Sequence, residues 1–110
     1  MTDTRIVLST AGSEDEARKI ALYLVQNRMA ACVNIVPQVE SIYRWQDKVE
    51  TSREWLLVIK TTAEGFPAIR DRIQEMHSYE VPECILLTIE DGAPAYLDWL
   101  KSSVSEPSDL

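Results

Sequence analysis

The sequence has 110 residues and a formal net charge of −7, with one His, two Cys and three Gly. That length suits one domain, and a 45% hydrophobic content supports a packed core rather than a disordered chain. The acidic balance excludes nucleic acid and anionic membrane as main partners, no apolar run is long enough for a membrane span or a secretory signal, and Gly12, Gly65 and Gly92 are too scattered for a phosphate-cradling loop.

Ile6, Val7 and Leu8 form an apolar run that predicts a first strand over Arg5 to Ala11, stopped by Gly12. Ser13 followed by Glu16 fits a capping box, in which each side chain bonds the other's backbone N–H. Ala17, Ile20, Ala21, Leu24 and Val25 then recur at helical spacing, predicting an amphipathic helix that ends near Met29. From residue 31 to 61 the texture changes to β-branched and aromatic residues, read as one long hairpin with a turn at Asp47-Lys48. Pro37 lacks a donor N–H, so it marks a bulge or bend in that ribbon. Thr61 or Thr62 caps a second helix from about Gly65 to Met76, with Phe66, Ile69, Ile73 and Met76 on its apolar stripe. Glu83 to Glu90 reads as a fourth strand, and Ala93-Pro94 opens a short last helix carrying Tyr96, Trp99 and Leu100. Residues 1–104 thus form one domain, with 105–110 expected as a flexible tail. The order strand, helix, strand, strand, helix, strand is that of an α+β, ferredoxin-like βαββαβ fold with an extra C-terminal helix; a meander is the competing topology.

An unbroken strand from Ala31 to Gln46 would reach about 50 Å at 3.3 Å per residue, whereas a compact chain of this size is only about 35 Å across. The hairpin must therefore bend back on its own sheet or project beyond it. Trp55 to Ile59 and Ile85 to Leu87 are apolar on both faces, while two helices cover only one face of a sheet. Leaving such side chains wet forgoes roughly 1.5–3 kcal/mol each, so a sheet-sharing homo-oligomer is expected.

Two cysteines are too few for a disulfide framework, and Cys32 and Cys84 read as buried thiols in a reducing cytoplasm, with a bridge or a metal pair as the alternatives. His77, the sole histidine, is a candidate metal ligand, with Glu80, Glu83, Cys32 or Cys84 as partners. Its bland alternative is a helix C-terminal His interacting with the dipole. A Cys–His hydrolase needs an activated thiolate, and nothing near Cys84 in sequence lowers a thiol pKa, so no enzyme is expected.

The segments Ala30-Ala31-Cys32-Val33-Asn34, Ser41-Ile42-Tyr43-Arg44-Trp45, Lys60-Thr61-Thr62, His77-Ser78-Tyr79-Glu80-Val81-Pro82-Glu83 and Tyr96-Leu97-Asp98-Trp99-Leu100 together resemble the CutA family of divalent cation tolerance proteins. They occur in the family's order across the chain from about Ile6 to Ser102. The resemblance implies a homotrimer joined through its sheets, similar to that of the PII signalling proteins. It also implies a role in tolerance to copper and other divalent cations, with no cofactor required for a reaction. In some members proposed to bind copper, a Cys and a second His occupy the positions held here by Ser9 and Met76, leaving only His77 of that set.

In such a trimer Cys32, Trp45, Glu54, Lys60, Tyr79 and Glu83 are the residues expected in a cleft between subunits, with the Lys60 ammonium reaching a carboxylate. A purely structural role is the alternative for each of them, interface ion pairing for the polar groups and packing for Trp45 and Trp99. The expected function is a non-enzymatic cytoplasmic homotrimer acting in cation tolerance as scaffold or sensor. The rival is a PII-like protein binding a small anion through Lys60 with Arg44 or Arg53; a hydrolase is the third possibility.

Overall fold

The computed structural model describes residues 2–104; the expected tail, 105–110, lies outside them. In chain order the elements are β1 (Thr4–Ala11), α1 (Glu14–Gln26), β2 (Cys32–Trp45), β3 (Lys48–Thr62), α2 (Phe66–Met76), β4 (Ile85–Thr88) and α3 (Pro94–Ser103). One four-stranded sheet has the order β2-β3-β1-β4 with every neighbouring pair antiparallel. This is the split βαβ arrangement expected, and the meander is excluded because β3 lies between β1 and β2.

The sheet's two faces have different fates. Val7, Ala11, Leu57 and Ile59 are buried in one core with Ala17, Ile20 and Leu24 of α1 and Ile69 and Ile73 of α2. Cross-strand partners share a face, so Leu8, paired with both Val58 and Ile85, and Leu56, paired with Val36, lie on the opposite side. On that side Val36, Ile85 and Leu87 are exposed; α3 packs against β1 and β3 and buries Leu100 apart from the core shared with α1 and α2.

The hairpin projects rather than folding back. The molecule measures 43 × 27 × 22 Å, and Ile42 and Val49 in the far half of the ribbon are 67% and 66% exposed. The register slips between Val36 and Val39, and Gln38, next to the donor-less Pro37, takes φ 56°. This is the bulge that proline imposes on a ladder.

Several boundaries differ from expectation for local reasons. The hairpin turns at Gln46-Asp47, both with positive φ, and Lys48 already pairs with Trp45; two left-handed residues make the tight turn whose twist matches its strands. Helix α1 ends at Gln26 because Arg28 adopts φ 58°, and the N–H groups of Met29 and Ala30 fold back onto the Leu24 carbonyl. Strand β4 is shorter than Glu83 to Glu90, although Ile89 still exchanges backbone bonds with Thr4 and Thr2. The cap of α2 is Gly65, whose N–H donates to Thr62 Oγ1.

The capping box is half formed. Ser13 Oγ accepts from the Glu16 N–H at 3.2 Å as expected. The Glu16 carboxylate instead accepts from the backbone N–H and the hydroxyl of Ser78, both at 3.1 Å. It thereby ties the start of α1 to the segment that follows α2.

Candidate functional site

That segment, residues 77–83, closes one end of the sheet. His77 caps the C-terminus of α2 with a side chain that is fully buried. Its Nε2 lies 2.6 Å from the Thr10 carbonyl, which only accepts, so Nε2 carries the proton. Nδ1 accepts the Tyr79 N–H at 3.0 Å. A ring nitrogen that accepts is unprotonated, so the approach of Glu16 Oε1 to within 3.6 Å of Nδ1 is a contact, not an ion pair. With both nitrogens engaged by backbone, His77 positions Tyr79 and holds no lone pair toward a metal.

Tyr79 is set by its N–H at one end and its hydroxyl at the other, which donates to Glu54 Oε2 at 2.8 Å. Its ring passes directly over Gly12, where an added Cβ would stand 2.9 Å from the tyrosine oxygen. Only glycine permits that approach. Burial first, then the hydrogen bond to Glu54 and that carboxylate's charge, push the Tyr79 phenol far above its usual range, so it stays protonated and donates.

Between this segment and the outer half of the hairpin opens a cleft of about 630 Å³. Trp45, Glu54, Tyr79 and Glu83, four of the six residues expected to form one site, line it together. Thr10, Ile42, Glu80 and Val81 also contribute to its wall. Glu54 is only 7% exposed. Burial and the nearby Glu54 charge raise the Glu83 carboxyl above the ordinary value, even though Glu83 keeps much of its surface in water.

The other two expected residues lie elsewhere in the same chain. Lys60 is six positions along β3 from Glu54, roughly 20 Å at the strand rise. It pairs across the ladder with Cys32. Its ammonium donates to Asn34 Oδ1 and stands 4.0 Å from Cys32 Sγ. The expected bond to a carboxylate is replaced because Asn34, two residues from Cys32 on β2, is the acceptor within reach.

Neither thiol is bridged; Cys32 and Cys84 are free and partly exposed. Burial pushes the Cys84 thiol up, and this outweighs the lowering by the positive charge of Arg70, which sequence order did not place nearby. A thiol raised in this way is a poor nucleophile at neutral pH. Among the described residues, no group of three or more His, Cys, Asp or Glu side chains converges as a metal site.

A family model described as CutA1 divalent ion tolerance protein matches residues 5–103. The chain belongs to the CutA family. A CutA relative from Thermus thermophilus, named Divalent-cation tolerance protein CutA, is 50% identical over 98 residues, which cover 89% of this chain and 95% of that one. The solved Thermus thermophilus CutA structure superimposes with a TM-score of 0.90 at 48% identity, covering 93% of this chain and 99% of that chain. Arabidopsis thaliana Protein CutA, chloroplastic, is 42% identical over 89% of this chain. The chain spans 54% of that plant protein's length. The fold of the family is thus the fold derived above from strand order and register.

Apart from Thr10 at the end of β1, the cleft residues missed in the sequence fall inside segments that carried the CutA resemblance. Ile42, Glu80 and Val81 lie between residues already singled out. What could have found them is the joint position of the Ser41 to Trp45 and His77 to Glu83 segments, brought together only when the outer half of the hairpin meets the loop after α2.

Proposed function

We propose that this protein acts in divalent-cation tolerance as a non-enzymatic homotrimer whose subunits share their open sheet faces. The observation that carries this reading is the uncovered apolar face. Leu8, Leu56 and Val58 lie on the side away from α1 and α2, and exposed Val36, Ile85 and Leu87 extend it across the sheet. A contiguous apolar surface of this kind is a liability on a lone chain and the usual core of an obligate interface. The projecting hairpin extends the same surface, with Trp45 and Val49 available to a neighbouring copy.

The ion is written here as the stress the protein responds to, not as a resident cofactor. Within one chain His77 has no free nitrogen and Cys32 and Cys84 lie in separate strands and segments, so the residues present do not fit a copper centre of the His77 type. Support for a non-catalytic role comes from the raised Cys84 thiol and the occupied His77 ring. Free thiols suit a reducing cytoplasm, which is the compartment we infer, although the plant relative is named as chloroplastic. No helix among the described residues is long and apolar enough to cross a membrane.

The anion-sensor alternative draws no support from the cleft: Glu54, Glu80 and Glu83 line it and no Lys or Arg does. Arg44 and Arg53 instead contact the Asp47 carbonyl and Gln38.

The test is mass in solution together with copper sensitivity of a strain lacking the protein. The wild-type chain is expected near three times its 12.5 kDa mass and restores copper tolerance. Val58→Asp, which puts a charge on the open face, is expected to give monomers and to lose that restoration. Folded wild-type monomers at micromolar concentration overturn the reading.

A further inference from the structure

We propose that Asp91-Gly92, in the link from β4 to α3, is a modification site at which the chain isomerises its own backbone to isoaspartate. The inference is independent of the tolerance role and of assembly through the sheets.

The placement of the dipeptide comes first. Asp91 and Gly92 are exposed and belong to no helix or strand. The Gly92 N–H donates to Asp91 Oδ1 at 2.8 Å and, among the described residues, to no backbone carbonyl. A backbone nitrogen in a ladder or a helix is tied to a carbonyl and is released only when that element opens. This one is tied to the group it would attack. The carboxyl carbon is one bond from Oδ1, so ring closure needs only rotation about the side-chain bonds of exposed Asp91. Holding the two reacting groups together in this way replaces a chance encounter.

The glycine comes second. Without a Cβ, Gly92 leaves its nitrogen unshielded. Packing favours the glycine as well, because a Cβ there would stand 3.2 Å from Leu97 Cδ2 and 3.3 Å from Leu97 Cγ. The fold thus prefers at this position the residue that obstructs ring closure least. Other sites lack the combination. Asp15, Asp71 and Asp98 lie within helices and precede Glu16, Arg72 and Trp99. After Asn27, the nitrogen of Arg28 is already bonded to the Val25 carbonyl at 3.1 Å.

The reaction needs only water. The Gly92 nitrogen bonds to Asp91 Cγ, and the carboxyl hydroxyl leaves as water with the nitrogen's proton, closing a succinimide ring. Water then opens the ring at one of its two carbonyl carbons. Cleavage of the new Cγ–N bond restores aspartate. Cleavage at the main-chain carbonyl gives isoaspartate, which frees that carboxylate and routes the chain through Cβ and Cγ. The product has the mass of the parent and one extra methylene in the link between β4 and α3.

The test is incubation of the full chain for weeks at neutral pH in water labelled with heavy oxygen, followed by peptide mapping that separates the two linkages. Isoaspartate and the label are expected at Asp91, at least tenfold faster than at Asp15, Asp71 or Asp98. The rate in the folded chain is expected to be no lower than in the chain unfolded in urea. Gly92→Ala is expected to slow the reaction severalfold. Asp91→Asn, which keeps the side-chain shape and loses ammonia instead of water, is expected to reach the same pair of products faster. Circular dichroism reports separately that each variant is folded. An unlabelled Asp91, a folded-state rate tenfold below the unfolded one, or equal labelling at the helical aspartates overturns the proposal. So does an Asp91→Asn protein that gains no isoaspartate.

Discussion

The Tyr79 hydroxyl donates to Glu54 Oε2 at 2.8 Å, and the tyrosine oxygen stands only 2.9 Å from where a Cβ on Gly12 would be. One tyrosine thus bridges the strand β3 carboxylate and the residue just past β1. Tyr79→Phe removes a hydrogen bond to a buried charged group, worth about 1.5–3 kcal/mol, and should lower the urea midpoint accordingly. Gly12→Ala should cost about 1–3 kcal/mol by overpacking. Because the nearest atom to the new methyl is the hydroxyl that Phe lacks, the double variant should lose less than the sum. Strict additivity would mean that the ring is not held where the structure places it.

Glu83 gives a pH prediction with a definite sign. Its folded-state carboxyl is raised above its ordinary value by burial and then by Glu54. The folded protein therefore holds this proton more tightly than the unfolded chain does. The stability it contributes is fully present below the unfolded value and is lost as pH rises through the raised one. Glu83→Gln should accordingly flatten the stability profile from about pH 4 upward, where carboxyls ordinarily titrate, and should leave the variant more stable than wild type at neutral pH. Urea unfolding of both proteins at a series of pH values checks this, and a variant that does not gain stability relative to wild type as pH rises across that window would contradict it.

The hairpin turn offers a stabilising change. Gln46 and Asp47 adopt φ 50° and 64° without being glycine. Left-handed backbone carries a penalty of about 1 kcal/mol for most residues, so Asp47→Gly should raise stability by up to about that amount. Thermal or urea denaturation measures it, and a loss of stability would show that the Asp47 side chain contributes more than its backbone strain costs.

Periodicity carried the local elements well. The apolar stripe of α1 (save Val25, which is exposed at the helix end), the missing N–H of Pro37 and the texture of the hairpin are properties of short windows, and the structure has each of them. What escaped depends on partners distant in sequence. Glu16 left its own helix for Ser78 because that segment returns to the start of α1. Lys60 found Asn34, not a carboxylate, because register alone decides its neighbours on β2. The turn shifted by one residue because nothing in Gln46-Asp47 announces a left-handed backbone. Within one chain Trp45, Glu54, Tyr79 and Glu83 line a common cleft while Cys32 and Lys60 sit far along the ladder; the grouping expected for all six was one between subunits.

The bulge at Pro37 and Gln38 has a mechanical consequence. Up to Val36 the β2 strand lies beside a β3 segment that is backed by β1 and the helices; past the slip, the two arms of the ribbon have chiefly each other. Thermal fraying of a solitary copy would start at this outer loop and stall where the kink anchors it. Contact with a second copy would quench that motion, leaving the ribbon's order a gauge of assembly.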